Sequence, residues 1–152
     1  MAKKSINHNK KKRIVIVASQ FNEYITKRLL KSCLDELSRL GISSKNTTVL
    51  WVPGSFEIPV VALKAAKNKD VDAVICLGAI IRGQTYHFEL IANAAAYGVE
   101  KVSLMTGKPI IFGVLSTDTV DQAYKRSEAK GDNKGQDAAN AAVAMIDLLS
   151  KL

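Results

Sequence analysis

VDAVICLGAIIRGQTYHFE, residues 71–89, decides how this chain folds. From Val71 to Leu77 it is an apolar run of one strand's length, interrupted only by Asp72. Such runs belong to strands buried on both faces, the habit of parallel sheets. Gly78 and Gly83 follow, then the polar pair Gln84 and Thr85, and a helical pattern runs from about Tyr86 to Met105. A strand, a glycine-bearing loop and a helix N-terminus make the place where open α/β sheets hold ligands. The unpaired N–H groups of the first helical turn, and the helix dipole, favour an anion there. His87 stands at that helix mouth. Position alone does not separate a working histidine from an ordinary surface one.

Three more apolar runs flank this stretch. Ile14–Ala18 reads as a buried strand, and Asn22 is placed to cap the helix after it, in which Ile25, Leu29, Leu30, Cys33, Leu34, Leu37 and Leu40 recur at helical spacing until Gly41. Val49–Val52 reads as the second strand, ended by Pro53-Gly54, with a helix from about Phe56. After the central stretch, Pro109–Leu115 supplies the fourth strand. Thr117-Asp118-Thr119 offers a cap to a short helix through Arg126, and the loop Ser127–Lys134 leads into a last helix over about Gly135–Leu149. Four buried runs alternating with helices predict an α/β three-layer sandwich around a four-stranded parallel sheet.

With 152 residues and 47% hydrophobic content, the chain has material for a single core. The formal charge of +8 is unevenly placed. Lys3, Lys4, Lys10, Lys11, Lys12 and Arg13 supply six of the 22 basic residues, leaving 16 against 14 acids. Residues 1–12 therefore read as a basic, poorly ordered tail and 13–152 as the domain, and nucleic acid is not the expected partner. Cys33 and Cys76 lie far apart in apolar patterns, with no C-x-x-C and no ligand-spaced histidines, which predicts buried thiols and no metal site. No segment has the form of a signal peptide or the length of a membrane span. A cytoplasmic protein is expected.

In a parallel sheet the strand C-termini share one edge, so the loops after all four strands meet on one rim. That rim carries Phe21, Phe56, Glu57, Arg82, Thr85 and His87: aromatic surface for a flat ring, hydrogen-bonding groups, an anion cradle and one imidazole. G-x-G-x-x-G and G-x-x-x-x-G-K-[ST] are absent, as is a nucleophile elbow. Ser127-Glu128-Ala129-Lys130 fits S-x-x-K without the companion motifs that give that short pattern meaning.

Phe21-Asn22-Glu23, Pro53 to Pro59, Gly78 to His87, Phe112 to Leu115 and Asn133-Lys134-Gly135 together resemble the lumazine synthase family, over about residues 13–152. The resemblance implies a flavodoxin-like fold, pentamers, and active sites shared by adjacent subunits. It implies condensation of 5-amino-6-(D-ribitylamino)uracil with 3,4-dihydroxy-2-butanone 4-phosphate, without metal or organic cofactor. Phe21 would stack on the pyrimidine, Ser55, Phe56 and Glu57 would hold the ribityl chain, and Ala79, Ile80 and Ile81 would line the ring pocket. Gln84 and Thr85 would meet the phosphate and His87 would move protons. From the neighbouring subunit, Phe112 would close the pocket, with Arg126 and Lys134 completing the phosphate site. The loop Ser127–Lys134 lacks the insertion of family members restricted to single pentamers, so the resemblance points to an icosahedral shell of pentamers, with a single pentamer or stacked pentamers as alternatives; association with riboflavin synthase stays open.

Without the resemblance, most of these residues have plainer explanations. Phe112 alternates within a strand and would be core. Glu57 and Arg126 sit at helix ends where the dipole favours their charges. The chain departs from the family at Gln20, Gln84, Tyr86 and Glu128, the last two residues from Arg126. A flavodoxin-like module that binds a flavin or nucleotide without turnover, and a purely structural shell protein, are the alternative readings.

Overall fold

The computed structural model of the protein describes residues 11–152, so the expected tail falls, except for Lys11 and Lys12, outside the described residues. Four strands form one parallel sheet: β1 (Ile14–Ser19), β2 (Thr47–Val52), β3 (Ala73–Ile81) and β4 (Ile110–Thr117), in the order β2-β1-β3-β4. That is the flavodoxin-like strand order, whose switch point, where ligands bind, lies between β1 and β3. The helices are α1 (Glu23–Arg39), α2 (Ile58–Lys67), α3 (His87–Thr106), α4 (Val120–Lys125) and α5 (Lys134–Leu149). Single 3-10 turns, Ser44–Asn46 and Ser55–Glu57, precede β2 and α2.

Strand periodicity sorts the core into two layers. Ile14, Ile16, Ile75 and Leu77 face α1 and α5, where they meet Leu29, Cys33, Leu37, Ala139 and Ala142. Val15, Val17, Val74 and Cys76 face the other way, onto Ile58, Ala62, Ala66, Val99 and Val102 of α2 and α3. Burial on both sides explains why β1 and β3 read as continuous apolar runs. Both cysteines are free and buried, and burial pushes each thiol up to about 12, so neither is a ready nucleophile.

Two features fix the packing of the α1–α5 layer. Gly135 lets the helices cross closely: a Cβ there would lie 2.0 Å from the Leu29 carbonyl oxygen. Glu36 is buried in α1 and accepts two hydrogen bonds from the Arg39 guanidinium, at 2.9 and 2.6 Å. That fork, helped by the Asn140 and Gln136 side chains of α5, holds the Glu36 carboxyl down at about 2.

Local structure departs from the sequence reading in three places. β2 is not a buried run but an edge strand, with Leu50 and Trp51 exposed. β3 does not stop before Gly78 but continues to Ile81, so the loop to α3 is only residues 82–86. Gly78 is there for proximity: a Cβ would sit 2.5 Å from Ser19 Oγ and 3.0 Å from Ser55 Oγ. Asn22 occupies the cap position of α1 but its side chain caps nothing. It is left-handed (φ 58, ψ 40), and its amide nitrogen instead donates to the Ala79 carbonyl, 2.8 Å away. The Thr119 cap is present as expected, in a full capping box with Gln122.

Candidate active site

All the predicted site residues except Gln84 gather in two clefts that share no lining residue. The first, about 670 Å³, lies over the C-terminal ends of β1, β2 and β3, at the switch point. Phe21 comes from the loop after β1, and Ser55, Phe56 and Glu57 from the 3-10 turn after β2. Ala79, Ile80 and Ile81 belong to the end of β3, and Thr85 and His87 to the entry of α3. Backbone bonds hold this rim together: Gln20 N–H donates to the Val52 carbonyl (2.8 Å) and Phe21 N–H to that of Pro53 (3.0 Å). Phe21 is 73% exposed and Phe56 60%. Water-facing aromatic rings beside an apolar floor offer two faces for a planar ligand, since ring stacking needs an accessible face.

The floor is apolar and firmly built. Ala79 and Ile80 are buried, and β3 continues past Leu77, where its pairing with β1 ends. There Asn22 acts as a surrogate strand and satisfies the Ala79 carbonyl. Ser55 is buried under the cleft, and Ser19 Oγ beside it is buried with no hydrogen-bond partner among the described residues.

His87 opens α3, exposed, and no side chain caps that first turn from the Tyr86 position. Its backbone N–H lies 3.4 Å from Thr85 Oγ1. Gln84 is exposed in the preceding loop and lines neither cleft. Arg82, read from the sequence as a rim cation, is already committed. Its Nε donates to Asp118 at 2.7 Å, it also pairs with Glu89, and its guanidinium lies 4.4 Å over the Phe88 ring. Arg82 thereby ties the loops after β3 and β4 to the first turn of α3.

Sequence reasoning missed Phe88 and Ile91, which line the cleft from one face of α3. Their spacing of three on a helix whose start was known was the available signal.

The second cleft, about 470 Å³, runs along β4 from Ile111 to Thr117 and is closed by Arg126, Lys134, Asp137, Ala138 and Ala141. β4 is an edge strand, so Phe112 is 41% exposed here and not part of the core. Arg126 ends α4 and Lys134 begins α5. A backbone bond from Lys134 N–H to the Arg126 carbonyl, 3.0 Å, closes the neck of the loop between them. The side chains of both cations point to Asp132: Arg126 pairs with it directly and Lys134 Nζ lies 3.4 Å from it and 3.3 Å from Asp137. Ser127, the head of the S-x-x-K match, is buried and structural, its hydroxyl bonded to Arg28 and to the Tyr124 carbonyl.

Among the described residues no cluster of three or more His, Cys, Asp or Glu side chains is arranged to hold a metal ion. No helix among them is long and apolar enough to cross a membrane.

The family model of 6,7-dimethyl-8-ribityllumazine synthase matches residues 11–150 of the chain. The 6,7-dimethyl-8-ribityllumazine synthase of Protochlamydia amoebophila (strain UWE25) is 54% identical over 142 residues, which cover 93% of this chain and 83% of that relative.

Proposed function

This chain belongs to the 6,7-dimethyl-8-ribityllumazine synthase family, and on that premise we propose that it condenses 5-amino-6-(D-ribitylamino)uracil with 3,4-dihydroxy-2-butanone 4-phosphate. The products are 6,7-dimethyl-8-ribityllumazine, phosphate and two waters, in the penultimate step of riboflavin biosynthesis. The uracil's 5-amino group adds to the ketone, and the carbinolamine loses water to an imine. Elimination then expels phosphate, and the ribityl-bearing nitrogen closes the ring with loss of the second water.

The pyrimidine lies against Phe21 over the floor of Ala79, Ile80 and Ile81, and the ribityl hydroxyls meet Ser55, the Phe56 backbone and Glu57. Thr85 and the Gln84 backbone take the phosphate at the mouth of α3, where helix-terminal N–H groups suit an anion. His87 relays protons between the nitrogen and carbon centres; an imidazole serves that purpose near neutral pH in either direction. Most of the remaining acceleration comes from holding two reactants in register.

One observation carries the shared-site reading: among the described residues no Arg or Lys lines the aromatic and histidine-bearing cleft, while Arg126, Lys134 and Phe112 line a separate cleft on the edge strand. A neighbouring copy that brings its β4 edge to the first cleft unites ring pocket, phosphate cations and Phe112. The assembly is then a homo-oligomer built on pentamers, each interface holding one site.

Complementation tests this reading. His87→Ala and Arg126→Ala each spoil every site in a uniform assembly. In assemblies refolded from both, some interfaces pair an intact His87 wall with an intact Arg126 wall. Mixed particles, verified by native mass spectrometry, should exceed the mean activity of the two parents. Activity no higher than that mean places both residues in one subunit's own site and ends the shared-site model.

A further inference from the structure

Arg126 and Lys134 are already bridged by a carboxylate of their own chain. The loop between them is anchored at both ends. Asn133 is buried, its amide donating to the Glu128 carbonyl and Ser32 Oγ at 2.9 and 3.0 Å, while its oxygen accepts from the N–H groups of Gly135 and Gln136. Ser127 is pinned at the other end by Arg28. Between these anchors Gly131 turns the chain at φ +132, and Asp132 is delivered between the two cations, one carboxylate oxygen on Arg126 and the other 3.4 Å from Lys134 Nζ. It is Asp132, not the Glu128 singled out by sequence, that meets Arg126.

We infer that Asp132 is a built-in competitor for the phosphate subsite, an affinity-setting residue that holds Arg126 and Lys134 together between turnovers and gives way when a phosphoryl group arrives. The inference rests on the assignment of Arg126 to the phosphate subsite. Its chemistry is direct. A carboxylate spanning two cations presents two anionic oxygens to the donors that phosphate oxygens would use, and bidentate guanidinium recognition suits both anions. Phosphate must displace Asp132 on binding, and Asp132 returns as inorganic phosphate leaves. The residue therefore weakens ground-state grip on a product that would otherwise linger on two cations.

Asp132 and Arg126 are each about half exposed in this chain, 52% and 50% by side chain, so the competition is mild. Removing one partner of an exposed pair changes binding by about two- to five-fold. The test is titration calorimetry of the assembled protein with inorganic phosphate, beside steady-state kinetics, for the parent, Asp132→Asn and Arg126→Ala. Asp132→Asn should bind phosphate about two- to five-fold more tightly, lower KM for the butanone phosphate and leave KM for the uracil unchanged. Arg126→Ala should bind phosphate more weakly. If Arg126→Ala weakens phosphate and Asp132→Asn changes nothing, or weakens it too, Asp132 is no competitor and the subsite assignment stands. If Arg126→Ala leaves phosphate binding intact, the subsite assignment itself falls, and the competitor role with it.

Discussion

Asn22 and Ala79, fifty-seven positions apart, are joined by a 2.8 Å hydrogen bond from side-chain amide to backbone carbonyl, at the point where β3 outruns β1. The bond fixes the loop bearing Phe21 to the floor on which a planar substrate would lie. Asn also tolerates the left-handed backbone at this position (φ 58) better than most residues do. Asn22→Gly should lose the bond but keep the conformation, at about 1 kcal/mol. Asn22→Ala should lose both, at about 2–3 kcal/mol, because a left-handed alanine adds roughly 1–2 kcal/mol. Urea melts of the two variants decide this; equal losses would mean the conformation carries no strain.

Ser19 makes the opposite prediction. Its hydroxyl is buried without a hydrogen-bond partner among the described residues, and an unmet buried polar group costs about 1–3 kcal/mol. Ser19→Ala should raise stability by about 1 kcal/mol in the same melts. A variant less stable than the parent would show that the hydroxyl has a partner in solution.

Acid should weaken the α1–α5 layer through Glu36. Its carboxyl is lowered from 4.5 to about 2 by the Arg39 fork. A lowered carboxyl contributes stability above its unfolded value and loses it as pH falls towards its folded one. The melting-temperature gap between the parent and Glu36→Gln should be constant above pH 4.5 and shrink from there down to about pH 2. A gap independent of pH would assign the difference to packing.

His87→Asn should fold normally and keep both KM values near those of the parent, because the ring floor and phosphate contacts are untouched. Its kcat should fall by about 10²-fold, the lower end of what a positioned proton-transfer group supplies, with residual turnover from proximity alone. Steady-state kinetics with both substrates measures this. Unchanged kcat removes His87 from the chemistry.

β1 and β3 were legible because burial on both faces writes itself as continuous apolar runs, and Thr119 was legible because a capping box is local. What escaped depended on distant partners. Gly78 reads as the end of a strand, yet it lies inside one, where Ser19 and Ser55 leave no room for a Cβ. Asn22 reads as a helix cap until Ala79 presents a carbonyl that no strand can satisfy. Phe112 has the periodicity of a core residue, and only the position of β4 at the sheet edge exposes it. Arg126 and Lys134 were singled out through family likeness alone, and Asp132 carried no signal, since its place between them comes from a loop closed by a backbone bond at its neck.

Gly135 has a consequence for how the site would be mapped by random mutagenesis. Any side chain there drives into the Leu29 backbone, whose oxygen would lie 2.0 Å from the new Cβ. Position 135 adjoins Lys134, so a survey of inactive clones would mark the two as one functional hotspot, although Gly135 offers no side-chain group to a substrate. Ranking surviving clones by heat tolerance as well as turnover would separate them: Lys134 replacements should stay folded and idle, whereas Gly135 replacements should vanish from the soluble fraction. Tolerance to substitution in this stretch thus records how closely two helices cross before it records any chemistry.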